Sequence, residues 1–426
     1  MSALSSTGNA VQGNFIGTNA AGTADLGNTT NGVFQSQASS TIGGDVAGAR
    51  NIISGNSNPG IVFNGSSGNL VQSNFIGTDV TGTIGFGVSQ GGVQVISGAD
   101  NSFGGSTPEG RNIISGNGGH GFQIRQLGAD GNMVQGNLIG TQIDGSSALG
   151  NNGDGIAVES SSNDNVVLDN VIAFNNDDGV AIVSGTGNAI IFNSMFQNTE
   201  SGIDLLGNGV TPNDAGDVDT GPNDLQNFPV LTSVISGTIT NIQGTLNSTA
   251  NSTFIIQFYS NPNCAGIGQG KTFIGSTIVD TDSSGNVSFS APVAASLTAS
   301  EFVTATATDP NNNTSEISAC RQVVQSGLSI SGRITDGAGQ SLPGVTVTVS
   351  GGGSTTTDAN GNYSLGNLAA GGNYSVTPSS STHSFNPASQ TFNNLDVNRI
   401  ANFVGTQTVV SISGKVTDAG NNGIVN

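Results

Sequence analysis

The sequence predicts an all-β chain, a right-handed parallel β-helix followed by antiparallel β-sandwich domains. Three observations carry this. Long segments return at spacings of 60 to 63 residues: GNAVQGNFIGT (8–18), GNLVQSNFIGT (68–78) and GNMVQGNLIGT (131–141), with ARNIISGN (49–56) returning as GRNIISGN (110–117). A finer period is marked by Gly-hydrophobic-x-hydrophobic at Gly32, Gly60, Gly92, Gly121, Gly155, Gly179 and Gly202. One Asn falls in each period, at Asn14, Asn51, Asn74, Asn112, Asn137, Asn170 and Asn193.

Each short period reads as one coil. Its last two steps, 24 and 23 residues, give the bare coil length. Earlier coils carry extra residues alternately before the Asn-Ile segment (TIGGDVAGAR) and after it (DVTGTIGFGVSQ), which makes the longer repeat a pair of coils. Within a coil three short strands are expected; in the third they are GVQVI, NSFGG and RNIISGN. Apolar residues alternate, so one side chain points in and the next out. A lone coil cannot bury its inner face. Stacking buries it, at about 4.8 Å per coil through parallel ladders. Asn tolerates a left-handed turn, and its amide can bond the Asn above and below. The Asn column is therefore read as structural.

Composition fits this reading and excludes others. Of 426 residues 66 are Gly, none is Trp, and only 8% are charged. The polar surface must consist of Asn, Ser, Thr and Gly, which suits short strands and frequent turns. The net charge is −20. Residues 1–225 hold 19 acids and 3 arginines (−16), and the remainder 9 acids and 5 bases (−4). Such a rod cannot neutralise a phosphate backbone, so no nucleic-acid partner is expected. Divalent cations are the more natural partner. No apolar run reaches about 18 residues, so no membrane span is expected. The segment after Met1, SALSSTGNAV, has no basic start and no apolar core, so no signal peptide is read here. SISGKVTD (411–418) repeats SISGRITD (329–336) just before the chain stops. With both ends inside repeats, the chain is expected to be a piece of a longer extracellular or cell-surface protein.

Four segments follow: the β-helix at 1–225, an Ig-like sandwich at 226–325, a second sandwich at 327–406, and the start of a further copy at 407–426. TPNDAGDVDTGPNDLQNFPVL (211–231) marks the exit from the rod. The first sandwich is read from STFIIQFYS (252–260), KTFIGSTIVDT (271–281), GNVSFSA (285–291) and EFVTATATD (301–309), with turns between them. Cys264 and Cys320 both fall in it, and in a secreted protein such a pair reads as a disulfide, the alternative being two free thiols.

The second sandwich is read from ISGRITDGAGQSLPGVTVTVSG, TTTDANGNYSLGNL and YSVTPSSSTHSFNPASQTF. It resembles the carboxypeptidase regulatory-like domain, which implies a transthyretin-type sandwich. Related surface-adhesin sandwiches often carry a Lys–Asn cross-link. This unit has no Lys, and Arg333 stands where the next copy has Lys415, so no cross-link is expected. The rod resembles the parallel β-helix repeat family of bacterial secreted and surface proteins, through its GNxIGT and RNIISGN segments. That fold hosts pectin lyases, polygalacturonases, epimerases and tailspikes as well as adhesins, so the resemblance implies fold far more than function.

Candidate chemistry lies in two places. The residue before each coil Gly forms a column: Asn31, Pro59, Gly91, His120, Asp154, Asp178 and Ser201. Asp154 and Asp178 should lie one coil apart, with Asp177 and Glu200 beside them. Carboxylates that close suit a retaining glycosidase, a bound Ca²⁺, or an acidic turn face that needs a cation or a raised pKa. Gly119-His120-Gly121 is similar to the Gly-His-Gly of polygalacturonases, but the motif order is reversed and their other signatures are missing. In register His120 is a turn residue aligned with Pro59. Arg125 is expected to be the only base near the Asp column. Arg50 and Arg111 occupy one repeat position and are expected to pair with acids such as Asp45 and Glu109 or simply to flank the turn, the alternative being that they bind acidic sugars. The second place is Asn213, Asp214, Asp217, Asp219, Asn223 and Asp224, six oxygen donors within twelve residues, expected to hold a structural Ca²⁺ at the junction.

The function expected is that of a structural or adhesion-type surface protein binding a polysaccharide or other cell-surface ligand. The alternative is a β-helix polysaccharide hydrolase or lyase using Asp154 and Asp178, assisted by His120 or Arg125.

Overall fold

The computed structural model describes all residues except 1–7, 37–38, 47, 238, 265–267, 409–412, 416, 418, 421 and 424–426. Half of 407–426, the expected start of a further copy, therefore lies outside the described residues. The chain forms two compact units, residues 1–323 and 324–426.

The first unit begins with a parallel β-helix. Its coils contribute strands to three parallel sheets of seven strands each. Sheet one runs from Asn9–Val11 to Ala189–Ile191, sheet two from Phe15–Ile16 to Ser194–Phe196, and sheet three from Val33–Ser36 to Ile203–Leu205. In the third coil the strands are Gly91–Ile96, Ser102–Gly104 and Ile113–Ile114. RNIISGN yields only two strand residues because its asparagines turn the corners on either side. The interior is an aliphatic stack, exemplified by Ile53, Ile76, Ile114, Ile139 and Ile172, with Phe63, Phe103 and Phe122 packed edge to face at 5.5 and 4.6 Å. The residues inserted after the Asn-Ile segment form small turns closed at Thr18–Asp25, Thr78–Gly85 and Thr141–Ala148. Successive turns are joined by Val80 N–H to Gly22 O and Ile143 N–H to Gly82 O. This stacking of every second coil is the physical basis of the two-coil repeat.

The Asn column is a continuous ladder, and it is one of three. Asn112 donates its backbone N–H and its side-chain amide to Asn137 Oδ1, at 3.2 and 2.9 Å, and Asn137 does the same to Asn170. A second ladder runs Asn69, Asn101, Asn132, Asn165, Asn188. A third joins Asn117, Asn151, Asn175 and Asn198. From the second Asn of each ladder on, Oδ1 thus accepts two bonds in a dry corner where an unpaired amide would be costly; Asn117 Oδ1, at the head of the third, is buried without a partner. The residue before a ladder Asn is left-handed at many corners, as at Gly131 (φ +67°) and Gly136 (φ +68°). At Gly136 a Cβ would also lie 2.1 Å from Gly105 O.

The first sandwich pairs Thr240–Asn247 antiparallel with Val230–Ser236 and Asn286–Val293, and Thr253–Asn261 antiparallel with Thr272–Asp280 and Phe302–Thr308. Phe254, Ile256, Phe258, Phe289 and Val303 fill its core. It belongs to the same compact unit as the β-helix, because it closes the last coil. Met195 exchanges both backbone hydrogen bonds with Gly270, and Gly202 N–H donates to Gly268 O. Leu205 N–H donates to Glu316 Oε1, Ile190 N–H to Thr314 Oγ1, and Gly187 N–H to Asn313 Oδ1. Ile317 completes the helix core. Segment 211–231 is therefore no simple exit. Its turn Pro222–Leu225 folds back, and Asn223 accepts the Asn188 N–H at 3.0 Å, ending the second ladder. Cys264 and Cys320 form a disulfide, Cα atoms 6.1 Å apart, between the two segments that supply these closing groups.

The second unit is a further sandwich, antiparallel except where Leu328–Asp336 pairs in parallel with Arg399–Ile400 and Phe403–Gln407. Leu328–Asp336 pairs with Asn362–Leu368 in one sheet, and Thr346–Val349 with Tyr374–Ser379 in the other. Ile330, Ile334, Val347, Tyr363, Val376 and Phe403 fill the core between them. No helix among the described residues is long and apolar enough to cross a membrane.

Candidate functional site

The column before the corner glycines is in register. Gly121 N–H donates to Asp154 O, Gly155 N–H to Asp178 O, and Gly179 N–H to Ser201 O. Its side chains make a chain of their own. Asp178 N–H donates to Asp154 Oδ1 at 3.1 Å, and Ser201 N–H to Asp178 Oδ1 at 2.8 Å. Asp154 and Asp178 are buried, and Asp177 beside them is exposed. One oxygen of each of the three lies within 4.8 Å of the others.

His120 is more than the turn residue that the alignment with Pro59 implies. It starts the strand His120–Arg125, and its Nδ1 lies 3.1 Å from both the Asp154 backbone nitrogen and Asp154 Oδ2. The neutral ring with a bare Nδ1 accepts the backbone N–H; a ring protonated on Nδ1 donates to the carboxylate instead. The hydrogen bond to Asp154 raises the His120 pKa against the opposing effect of burial. Arg125 is five residues further along the same strand, some 16 Å from His120 at strand rise, so it is not the base beside the acid column. It stands in line with Glu159, and its buried Nε has no hydrogen-bond partner.

Burial dominates the acids. It pushes the Asp178 carboxyl up to about 8, helped by the charges of Asp204 and Asp154. Asp177 is raised too, first by burial and then by Asp154 and Glu200. Sequence reasoning missed two members of this group. Asp204 sits on the last strand of sheet three, where its carboxylate accepts the N–H groups of Gly207, Asn208 and Gly209. Burial raises its pKa. Glu316 arrives from the sandwich, accepts from Leu205 and Thr211, and is pushed by burial up to about 7. Alternation in SGIDLLG could have placed Asp204 on the outer face; nothing local marks Glu316.

The six junction donors separate into two groups. Asp214, Asp217 and Asp219 converge, with one oxygen of each within 4.8 Å of the others. Asp214 Oδ1 and Asp219 Oδ1 are buried without a hydrogen-bond partner. Asp217 accepts from Asn227 N–H and the Ser248 hydroxyl, and burial pushes it up to about 6. Asn213, Asn223 and Asp224 are engaged elsewhere. Asn213 pairs with the Phe228 backbone, Asn223 ends the ladder, and Asp224 accepts from the Asn313 amide. Arg50 and Arg111 pair with no acid among the described residues. Arg50 donates to Ser73 O and lies 4.1 Å over the Phe75 ring, and Arg111 donates to Gly136 O. The ladder corner supplies a carbonyl at this position in both coils, which takes the Nε–H of each guanidinium.

Residues 329–402 match the model of the carboxypeptidase regulatory-like domain. A stretch of 95 residues is 39% identical to chitinase ChiA of Flavobacterium johnsoniae; it covers 21% of this chain and 6% of the chitinase. Among solved structures, the chain is similar to BcpA, the major pilin subunit of Bacillus cereus, at 10% identity and a TM-score of 0.22, covering 42% of this chain and 70% of that one. It is also similar to the major pilin SpaD of Corynebacterium diphtheriae, at 10% identity and a TM-score of 0.23, covering 39% and 63%.

Proposed function

We propose that this chain is part of an extracellular structural or adhesion-type protein, with the rod presenting surface for a polysaccharide or another cell-surface ligand and the sandwiches acting as spacers or binding modules. The observation that carries this is the closure of the rod by the first sandwich through backbone bonds, Glu316 and Ile317. A rod fused to its neighbour transmits position and force rather than opening and closing around a substrate. The Cys264–Cys320 disulfide supports an oxidising compartment. Ca²⁺ is proposed at Asp214, Asp217 and Asp219, where it would partner the two orphaned buried oxygens.

A second reading is favoured by one arrangement. His120 touches Asp154, and burial pushes the Asp178 carboxyl, one coil away, up to about 8. A protonated acid beside ionisable partners is what a polysaccharide hydrolase needs. One experiment separates the two readings: incubation with a panel of acidic and neutral polysaccharides, scoring retention and reducing-end release. The adhesive reading expects retention without release. Release that disappears in Asp178→Asn would replace it with the hydrolase.

A further inference from the structure

A cavity of about 200 Å³ lies where the last rung of sheet two meets the first sandwich. Its wall includes Phe196, Gln197, Thr199, Asn263, Gln269 and Lys271. Part of that wall is fixed. Gln269 donates to Glu200 O, and Asn198 beside it donates to Ile172 O. Phe196 is held edge-on by Phe174 at 5.5 Å. The remaining polar groups are uncommitted: the side chains of Gln197, Thr199 and Asn263 make no hydrogen bond to another described residue.

Lys271 sets the ligand's charge. It is one of two lysines in a chain of net charge −20. Its ammonium lies 4.8 Å over the Phe196 ring and forms no ion pair among the described residues. The aromatic face holds the cation at the cavity without neutralising it. A carboxylate there would gain a charge-assisted hydrogen bond. Two free amides and a hydroxyl then match ring hydroxyls, while Phe196 and Pro262 offer apolar contact to a C–H face. The volume is below the range of about 300–1,000 Å³ usual for larger ligands, which limits the occupant to about one ring.

We infer that this cavity binds a single sugar carboxylate, such as a uronic acid or a sialic acid unit, with Lys271 pairing the carboxylate and Gln197, Thr199 and Asn263 pairing the hydroxyls. The site is separate from the acid column, so it stands whether the rod adheres or hydrolyses.

The test is ligand-observed NMR on the full chain with glucuronate, N-acetylneuraminate, glucose and acetate. Binding of glucuronate or N-acetylneuraminate above both controls is expected, and which of the two binds identifies the source. Lys271→Met, which keeps the stem over Phe196, should weaken binding about tenfold or more. Asn263→Ala should weaken it less, and both variants should keep the wild-type melting temperature. Equal binding of glucose or acetate, no binding of either acid, or binding unchanged in Lys271→Met would overturn the inference. Polysaccharide retention with no sugar-acid binding would reject this site alone; sugar-acid binding without polymer retention would reject only the adhesive reading.

Discussion

At the scale of single residues, the asparagines matter most, and they were partly legible. The first ladder stands out because Asn-Ile recurs beside it. The other two lie in the same repeats, in GNLV and GNMV and in ISGN, yet each reads locally as an ordinary turn residue. Only the stacked register shows that Oδ1, from the second Asn of each ladder on, serves the N–H groups of the coil before. Asn137→Ala is expected to cost about 2–4 kcal/mol, because it leaves two donors of Asn112 unpaired in a buried corner. Chemical denaturation checks this. The acids give a second prediction. Asp178, Glu316 and Asp217 bind protons in the folded state up to about pH 8, 7 and 6. The unfolded chain releases them near pH 4. Between those limits the folded state holds more protons, so stability falls as pH rises. The raised His120 pKa acts in the same direction. The melting temperature should therefore be higher at pH 5 than at pH 8.5, and Asp178→Asn should flatten the dependence. These acids were only half legible. Asp154 and Asp178 follow from spacing, but the contact of Asp154 with His120 depends on which way an imidazole turns at a corner.

At the scale of elements, the coil was almost fully legible, since repetition reports the register directly. The strands of the third coil fall where alternation places them, and the sandwich strands Thr253–Asn261 and Thr272–Asp280 match their sequence patterns within a residue or two. The expected pairing of the arginines with acids fails for a physical reason: nearby acids are visible in sequence, whereas a free carbonyl one coil away is not. The interior stack is tight, so Phe103→Ala should cost about 3–5 kcal/mol through the cavity left between Phe63 and Phe122. The junction loop makes a further prediction. Calorimetric titration should detect Ca²⁺ binding with a gain in melting temperature, both lost in Asp217→Asn. Neither heat nor added stability in the parent chain would dispose of that site.

At the scale of the whole molecule, the order of segments could be read from the sequence, but the closure of the rod could not. Asn223, Gly268, Gly270, Asn313, Thr314, Glu316 and Ile317 are scattered over nearly a hundred residues, and no local pattern announces that they meet one surface. Their joint role makes residues 1–323 one unit, and the disulfide ties the two segments that supply most of them. Native-state hydrogen exchange on the full chain tests this most directly. The amides of Gly202 and Leu205, which donate to Gly268 O and Glu316 Oε1, should exchange as slowly as that of Gly121 in the middle of the rod. Fast exchange of the last coil beside a protected middle would contradict the account, because it would mean that the sandwich does not seal the rod.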